Sequence, residues 1–140
     1  MSKILEHLKR LREHEKKQAH LGLSKAEREE NKQLERIEAH HKTVEQAREN
    51  CNVDDPSEVA RYHAFRLKME MIRRRDQARL ERFQTKVDQS RDKLTEKVKE
   101  TRTLETLIEN RADAEAAEKA RKDGATLDEL GIQGWKRKTA

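Results

Sequence analysis

The sequence predicts an all-α fold: an elongated antiparallel two-helix coiled-coil hairpin with a short flexible C-terminal tail. Charged residues make up 44% of the 140 residues, only 32% are hydrophobic, and apolar residues recur at intervals of three and four. A chain with so little apolar surface cannot bury a broad core, which leaves disorder or a coiled coil. Heptad-like spacing over many turns favours the coiled coil.

One turn signal divides the chain into two helices. Pro56 is the only proline, Asp55 precedes it, and Glu58 follows Asp55 by three residues. Asp is a good N-cap, Pro suits the first helical position, and Glu at this spacing resembles a capping box. We therefore expect helix 1 at about 2–50, a turn at about 51–56 and helix 2 at about 57–122.

The C-terminal boundary of the hairpin is expected at residue 122. Gly124 follows it, and glycine readily supplies the left-handed conformation that ends a helix. Residues 1–122 then form the hairpin and residues 123–140 the tail. Within the tail, Thr126 and Glu129 have capping-box spacing and predict one short helical turn.

Apolar spacing also predicts the residues that pack between the helices. In helix 1 they are Ile4, Leu8, Leu11, Leu34, Ile37, His41, Val44 and Cys51. In helix 2 they are Phe65, Met69, Ile72, Leu80, Phe83, Val87, Leu94, Thr101, Leu104 and Ile108. Because helix 2 is longer, we expect it to project past helix 1 and leave apolar side chains for another protein to cover.

Motifs of catalysis and of ligand binding are missing from the sequence. No glycine lies in a phosphate-loop pattern, and His14 and His20 are six residues apart, where a zinc helix needs four. The single Cys51 allows neither an intramolecular disulfide nor a cysteine zinc site. We expect no enzyme activity, no cofactor and no metal site.

The net charge of +5 arises from closely intermixed acidic and basic residues. Such mixing is typical of a solvated helical surface, so we expect no nucleic-acid partner. The basic run of Arg73, Arg74, Arg75, Arg79 and Arg82 also leaves docking onto an acidic protein open. No segment has the apolar length of a membrane span or a secretory signal, which predicts a cytoplasmic protein without membrane insertion.

Three stretches, ARYHAF at 60–65, RTLETLIENR at 102–111 and LDEL at 127–130, resemble the FliJ family of bacterial flagellar type III export proteins. The likeness extends over nearly the whole chain. It implies a stalk-like coiled coil that links the export ATPase ring to the cytoplasmic domain of the membrane export gate. It also implies help in handling export chaperones, and peripheral association with the inner membrane through the export apparatus.

Two sets of partner-binding residues follow. By resemblance, the export gate would bind Gln33, Ile37, His40, Val44, Phe65, Met69, Ile72 and Asp76. Five of these are also predicted packing residues, so burial in the seam is the competing interpretation of that set. As a hypothesis, the ATPase ring would contact Leu104, Leu107, Ile108, Arg111, Leu127, Leu130 and Trp135.

Two other functions remain open from the sequence. A generic coiled-coil scaffold or adaptor outside any secretion system has the same composition. A basic helical hairpin that binds nucleic acid is the less favoured alternative, and its affinity should fall steeply with salt.

Overall fold

The computed structural model describes residues 2–139, which form two helices and no strand. Helix α1 spans Lys3–Asn50 and helix α2 spans Pro56–Thr139. Early α1 residues contact late α2 residues, as in the 3.0 Å bond from Arg12 to Glu100. The predicted all-α hairpin of two antiparallel helices is therefore confirmed.

Packing divides the chain into two units. The turn unit is Lys16–Glu96, and the terminal unit joins the segment up to Glu15 to the segment from Lys97 onward. Each unit contains parts of both helices, so each has its own stretch of interface. The partner-binding residues predicted for the gate all belong to the turn unit, and those predicted for the ring belong to the terminal unit.

Side chains close the turn between the helices. Asp55 Oδ1 accepts a 3.0 Å bond from the Ser57 amide, which confirms Asp55 as the N-cap of α2. Glu58 does not complete a capping box on Asp55. Its Oε2 instead accepts a 2.8 Å bond from the amide of Asn52 at the start of the turn. Glu58 therefore ties the first turn of α2 to the start of the connecting turn.

The predicted end of α2 at residue 122 is wrong, because the helix continues without interruption to Thr139. No residue from 2 to 139 has a positive φ, so Gly124 does not form a left-handed cap. Thr126 is not a cap either, since its hydroxyl donates to the Lys122 carbonyl one turn earlier (2.9 Å). Three glycines weaken this part of the helix without breaking it, because glycine costs only about 1 kcal/mol relative to alanine.

The interface of α1 agrees only in part with the stripe that apolar spacing predicts, since Leu8, Ile37, Val44 and Cys51 are half-buried. Ile4, Leu11, Leu34 and His41 are exposed. The buried residues of α1 are instead Ala19, Ala26 and Gln33. Small and polar residues thus occupy central positions, and the leucines that suggested the stripe lie on its flank.

The interface of α2 agrees with its predicted stripe. Leu80, Val87, Thr101 and Leu104 are buried, and Asp76 joins them as the most buried charged residue. These residues recur at steps of four, seven, fourteen and three, which fit the heptad spacing of coiled-coil core positions. Every one of them faces α1 within its own unit.

Candidate partner-binding surfaces

A groove of about 600 Å³ lies beside the turn, between the two helices of the turn unit. We call it the turn groove, and it is lined by Ile37, Glu38, His40, His41, Val44, Glu45, Arg48, Tyr62, Arg66, Met69, Glu70, Arg73 and Asp76. Its floor is apolar and its rim is charged. Five of the eight residues predicted to bind the gate line it, namely Ile37, His40, Val44, Met69 and Asp76.

The remaining three predicted gate residues lie at its margins. Phe65 is half-buried and lines a second, shallower groove with Cys51 and Tyr62. Ile72 is half-buried in the interface, and Gln33 is fully buried. The residues predicted from the resemblance thus lie along one stretch of interface, although they differ in how far a partner can reach them.

A polar layer crosses this stretch. Gln33 donates from Nε2 to the backbone carbonyl of Asp76 over 3.0 Å. His40 Nδ1 contacts Oδ2 of the same residue at 2.7 Å. Asp76 is only 1% exposed, and its Oδ1 atom has no hydrogen-bond partner among residues 2–139. Gln33 and Asp76 therefore hold the helices together here, while His40 reaches the groove.

The rim of the turn groove carries a strong ion pair. Arg73 donates from Nε and Nη2 to the two oxygens of Glu70 at 2.8 and 2.6 Å. These hydrogen bonds, with the charges of Arg73 and Arg74, lower the pKa of Glu70 to about 2. Glu70 in turn raises the pKa of Arg73. The pair is exposed, so it sets the charge pattern of the rim more than the stability of the fold.

The second predicted surface lies on the last third of α2. From Glu109 to Thr139 every residue is exposed except Gly124 and Gly134, which are half-buried. Within the part of the chain that the structure describes, this length of helix has no packing partner. Apolar side chains stand out from it at Leu127 (68% exposed), Leu130 (58%) and Trp135 (66%).

The residues predicted to contact the ring fall into two groups, those packed at the end of the helix interface and those exposed beyond it. Leu104 is 7% exposed and packs against α1, so it is not available to a partner. Ile108 is half-buried, while Leu107 and Arg111 are exposed. Leu107, Arg111, Leu127, Leu130 and Trp135 thus form the accessible part of the set. Ile132, which was not among the predicted residues, is as exposed as Leu130.

Residues 2–139 contain neither a cluster of potential metal ligands nor a helix that could span a membrane. No cluster of three or more His, Cys, Asp or Glu side chains is placed to hold a metal ion there. Neither described helix is apolar enough over a sufficient length to cross a membrane. What these residues do present is a charged groove and an uncovered helix, both suited to protein partners.

The family profile described as the flagellar FliJ protein matches residues 1–140, the whole chain. This chain belongs to the FliJ family. Comparison with curated proteins and with solved structures gives no significant match. Membership of the FliJ family identifies the chain as a flagellar export-related protein. It also confirms the resemblance first seen in residues 60–65, 102–111 and 127–130.

The profile covers the exposed segment 109–139 together with the packed helices, so that segment belongs to the family's pattern. The profile does not say which side chains bind a partner. The binding roles of the turn groove and of the exposed segment therefore stay predictions.

Proposed function

We propose that this FliJ-family protein acts as a stalk-like coiled coil between the export ATPase ring and the export gate. One observation carries the proposal: α2 continues from Glu109 to Thr139 without a packing partner and exposes Leu127, Leu130 and Trp135. Covering such side chains with a partner is favourable, because it removes apolar surface from water. In this proposal the ATPase ring is that partner.

The turn groove is the proposed site for the cytoplasmic domain of the gate. Its apolar floor offers Ile37, Val44 and Met69, and its charged rim supplies Arg48, Arg66 and Arg73. An apolar centre with a polar rim is the usual anatomy of a protein interface. His40 is the member of the polar layer that a partner can touch, because its side chain is 37% exposed.

The remaining parts of the proposal rest on the family alone. The protein assists the handling of export chaperones and associates peripherally with the inner membrane through the export apparatus. It acts by binding and has no catalytic role of its own, since its described grooves are open and hold no nucleophile–base pair.

A coupled ATPase assay tests the contact with the ring. The export ATPase of the same organism is measured with the full chain and with a chain that ends at Lys122. We expect stimulation by the full chain and its loss on truncation, with the thermal midpoint unchanged because the deleted helix packs on nothing described. Equal stimulation by both chains, or none by either, contradicts the placement in the ring.

Binding to the gate domain tests the turn groove with a matched pair of methionines. Met69 lines the groove, whereas Met71 is 74% exposed and lies outside it. Met69→Ala should weaken binding about tenfold or more, and Met71→Ala by less than twofold. Equal effects of the two substitutions would remove the groove from the proposal.

A further inference from the structure

Another groove, of about 400 Å³, lies near the end of the turn unit that is farther from the turn. We call it the Gly22 groove, and it is lined by Gly22, Lys25, Ala26, Glu29, Lys86, Gln89, Ser90 and Lys93. Four of its residues come from α1 and four from α2. None of them belongs to either partner-binding set, so the groove has no role in the proposed function.

The groove carries a net positive charge, and its charged side chains form no ion pair with residues 2–139. Three lysines and one glutamate line it, and among residues 2–139 none of these four side chains makes an ion pair within 4.0 Å. The ammonium group of Lys86 lies 5.7 Å from the Phe83 ring centre. By contrast, Arg91 on the same helix pairs with Glu27 of α1 at 3.8 Å.

The floor of the groove is open down to the backbone at Gly22. A Cβ atom added there would meet nothing within 4 Å, while Ala26 one turn later is buried at 7% exposure. Ser90 faces them from α2. Another backbone can therefore approach α1 closely here, which is a recurrent use of glycine and alanine at helix contacts.

We propose that the Gly22 groove is a docking site for an acidic α-helix of a partner protein. Charge complementarity defines the occupant. Lys86 and Lys93 are seven residues apart, about 10 Å along α2, which matches carboxylates two turns apart on a facing helix. Lys25 holds a third carboxylate from the α1 side, and Gln89 and Ser90 supply hydrogen-bonding groups between them.

A helix fits the groove better than a nucleic acid does. Glu29 lies among the lysines and would repel a continuous run of phosphates, whereas a helix can place an uncharged or basic residue opposite it. The Gly22 groove also has no aromatic side chain in its lining on which a base could stack.

The test uses a fluorescently labelled, alanine-based helical peptide with glutamates at i, i+3, i+7 and i+10. The control peptide carries glutamine at those four positions. Anisotropy measures affinity for the full chain, and NMR shifts of the Gly22 and Ala26 amides locate the contact. We expect the glutamate peptide to bind and to shift these amides, and the glutamine peptide to bind at least tenfold more weakly.

Two sets of variants distinguish binding at the Gly22 groove from a general effect of net charge. Lys25→Glu, Lys86→Glu and Lys93→Glu together should weaken binding at least tenfold. The matched reversal of three exposed lysines outside the groove, Lys17, Lys68 and Lys99, changes the net charge equally and should weaken it less than threefold. Gly22→Phe should block binding, while circular dichroism shows the same helix content as the natural chain.

The proposal is overturned if the glutamate peptide does not bind, if both triple reversals weaken binding equally, or if the contact shifts amides elsewhere. Displacement of the peptide by a single-stranded DNA oligonucleotide at equal concentration and 150 mM salt would also overturn it, in favour of a nucleic-acid site. Because no residue of the turn groove or of segment 109–139 is changed, these outcomes are independent of the ATPase and gate assays.

Discussion

His40 Nδ1 lies 2.7 Å from Oδ2 of Asp76, a hydrogen bond that joins α1 to α2 beside the turn groove. The Asp76 carboxylate is almost fully buried, and its other oxygen has no hydrogen-bond partner among residues 2–139. A carboxylate in this position costs free energy that one neighbouring imidazole offsets only in part. A leucine at this core position would avoid that cost, so we expect the pair to contribute to pairing specificity more than to stability.

Removing the histidine of this pair should cost more stability than replacing the buried aspartate with an apolar residue. His40→Ala leaves Asp76 buried without its bond, and we expect a loss of about 1–3 kcal/mol in the free energy of unfolding. Asp76→Leu removes the buried charge and leaves Gln33 its bond to the backbone carbonyl, so we expect a change within about 1 kcal/mol or a gain. Urea unfolding followed by circular dichroism measures both.

A double variant completes the comparison. In the Asp76→Leu background, His40→Ala should cost clearly less than it does alone, because no buried acceptor is left unpaired. If His40→Ala costs the same in both backgrounds, the two side chains are not coupled and the polar layer does not act as described.

Gly22 and Gly124 test where an increase in helix propensity changes the free energy of unfolding. Neither glycine has a neighbour that an added Cβ would touch within 4 Å. Gly22→Ala lies in a packed unit, so it should raise the free energy of unfolding by roughly 0.5–1 kcal/mol. Gly124→Ala lies in the uncovered part of α2 and should leave that free energy unchanged.

The measurement combines urea unfolding with amide hydrogen exchange. Gly124→Ala should slow exchange of amides between residues 115 and 135 while the unfolding midpoint stays the same, since local and global opening are separate there. A shift of the midpoint by Gly124→Ala equal to that by Gly22→Ala would mean that the segment is packed against something.

The two helices and the turn could be predicted because their signals are local. Pro56 and Asp55 fix the start of α2 through backbone sterics and one capping bond, which need no knowledge of distant residues. The end of α2 could not be predicted in the same way. Gly124 permits a helix stop without forcing one, and the following residues keep enough helical propensity for α2 to continue.

The buried positions of α1 could not be predicted from apolar spacing alone. Leu11 and Leu34 were predicted to pack because they are apolar, but they are exposed. Ala19, Ala26 and Gln33 are the buried residues of α1. Close helix contacts favour small side chains, and the bond from Gln33 to Asp76 depends on which residues face each other. The turn groove was predictable as a region because Ile37 and Met69 follow the spacing of the interface.

An ion-pair network in the terminal unit gives the stability a defined pH dependence. Lys97 donates to Glu15 of α1 at 3.2 Å, and both lie near Arg12 and Glu100. The hydrogen bond from Lys97 is the main reason why the pKa of Glu15 is lowered from 4.5, and Arg12 adds to the effect. Glu15 and Glu100 in turn raise the pKa of Lys97.

Because the folded chain lowers the pKa of Glu15, the stabilising contribution is present above pH 4.5 and is lost as the pH falls through the lowered value. Lys97→Gln should therefore reduce the unfolding midpoint at pH 6, and the difference from the natural chain should shrink as the pH falls below 4.5. Lys99→Gln, on an exposed neighbour, is the control and should have little effect across the same pH range. A difference that stays constant until the chain unfolds in acid contradicts the pairing.

Leu104 and Leu107 lie at the end of the interface on α2. Substituting each one distinguishes a role in packing from a role in partner binding. Leu104 is 7% exposed, so Leu104→Ala should lower the free energy of unfolding by about 2–5 kcal/mol through lost burial and a cavity. Leu107 is 47% exposed, and Leu107→Ala should change it by no more than about 0.5 kcal/mol. Urea unfolding gives both values on the same helix.

The same two variants also bear on the contact with the ATPase ring. At a temperature where both remain folded, Leu107→Ala should weaken ATPase stimulation because it removes accessible apolar surface. Leu104→Ala should preserve stimulation, because its side chain is already covered by α1. If Leu104→Ala abolishes stimulation and Leu107→Ala does not, the ring contacts an opened form in which the helices have separated, and the predicted surface on α2 must be redrawn.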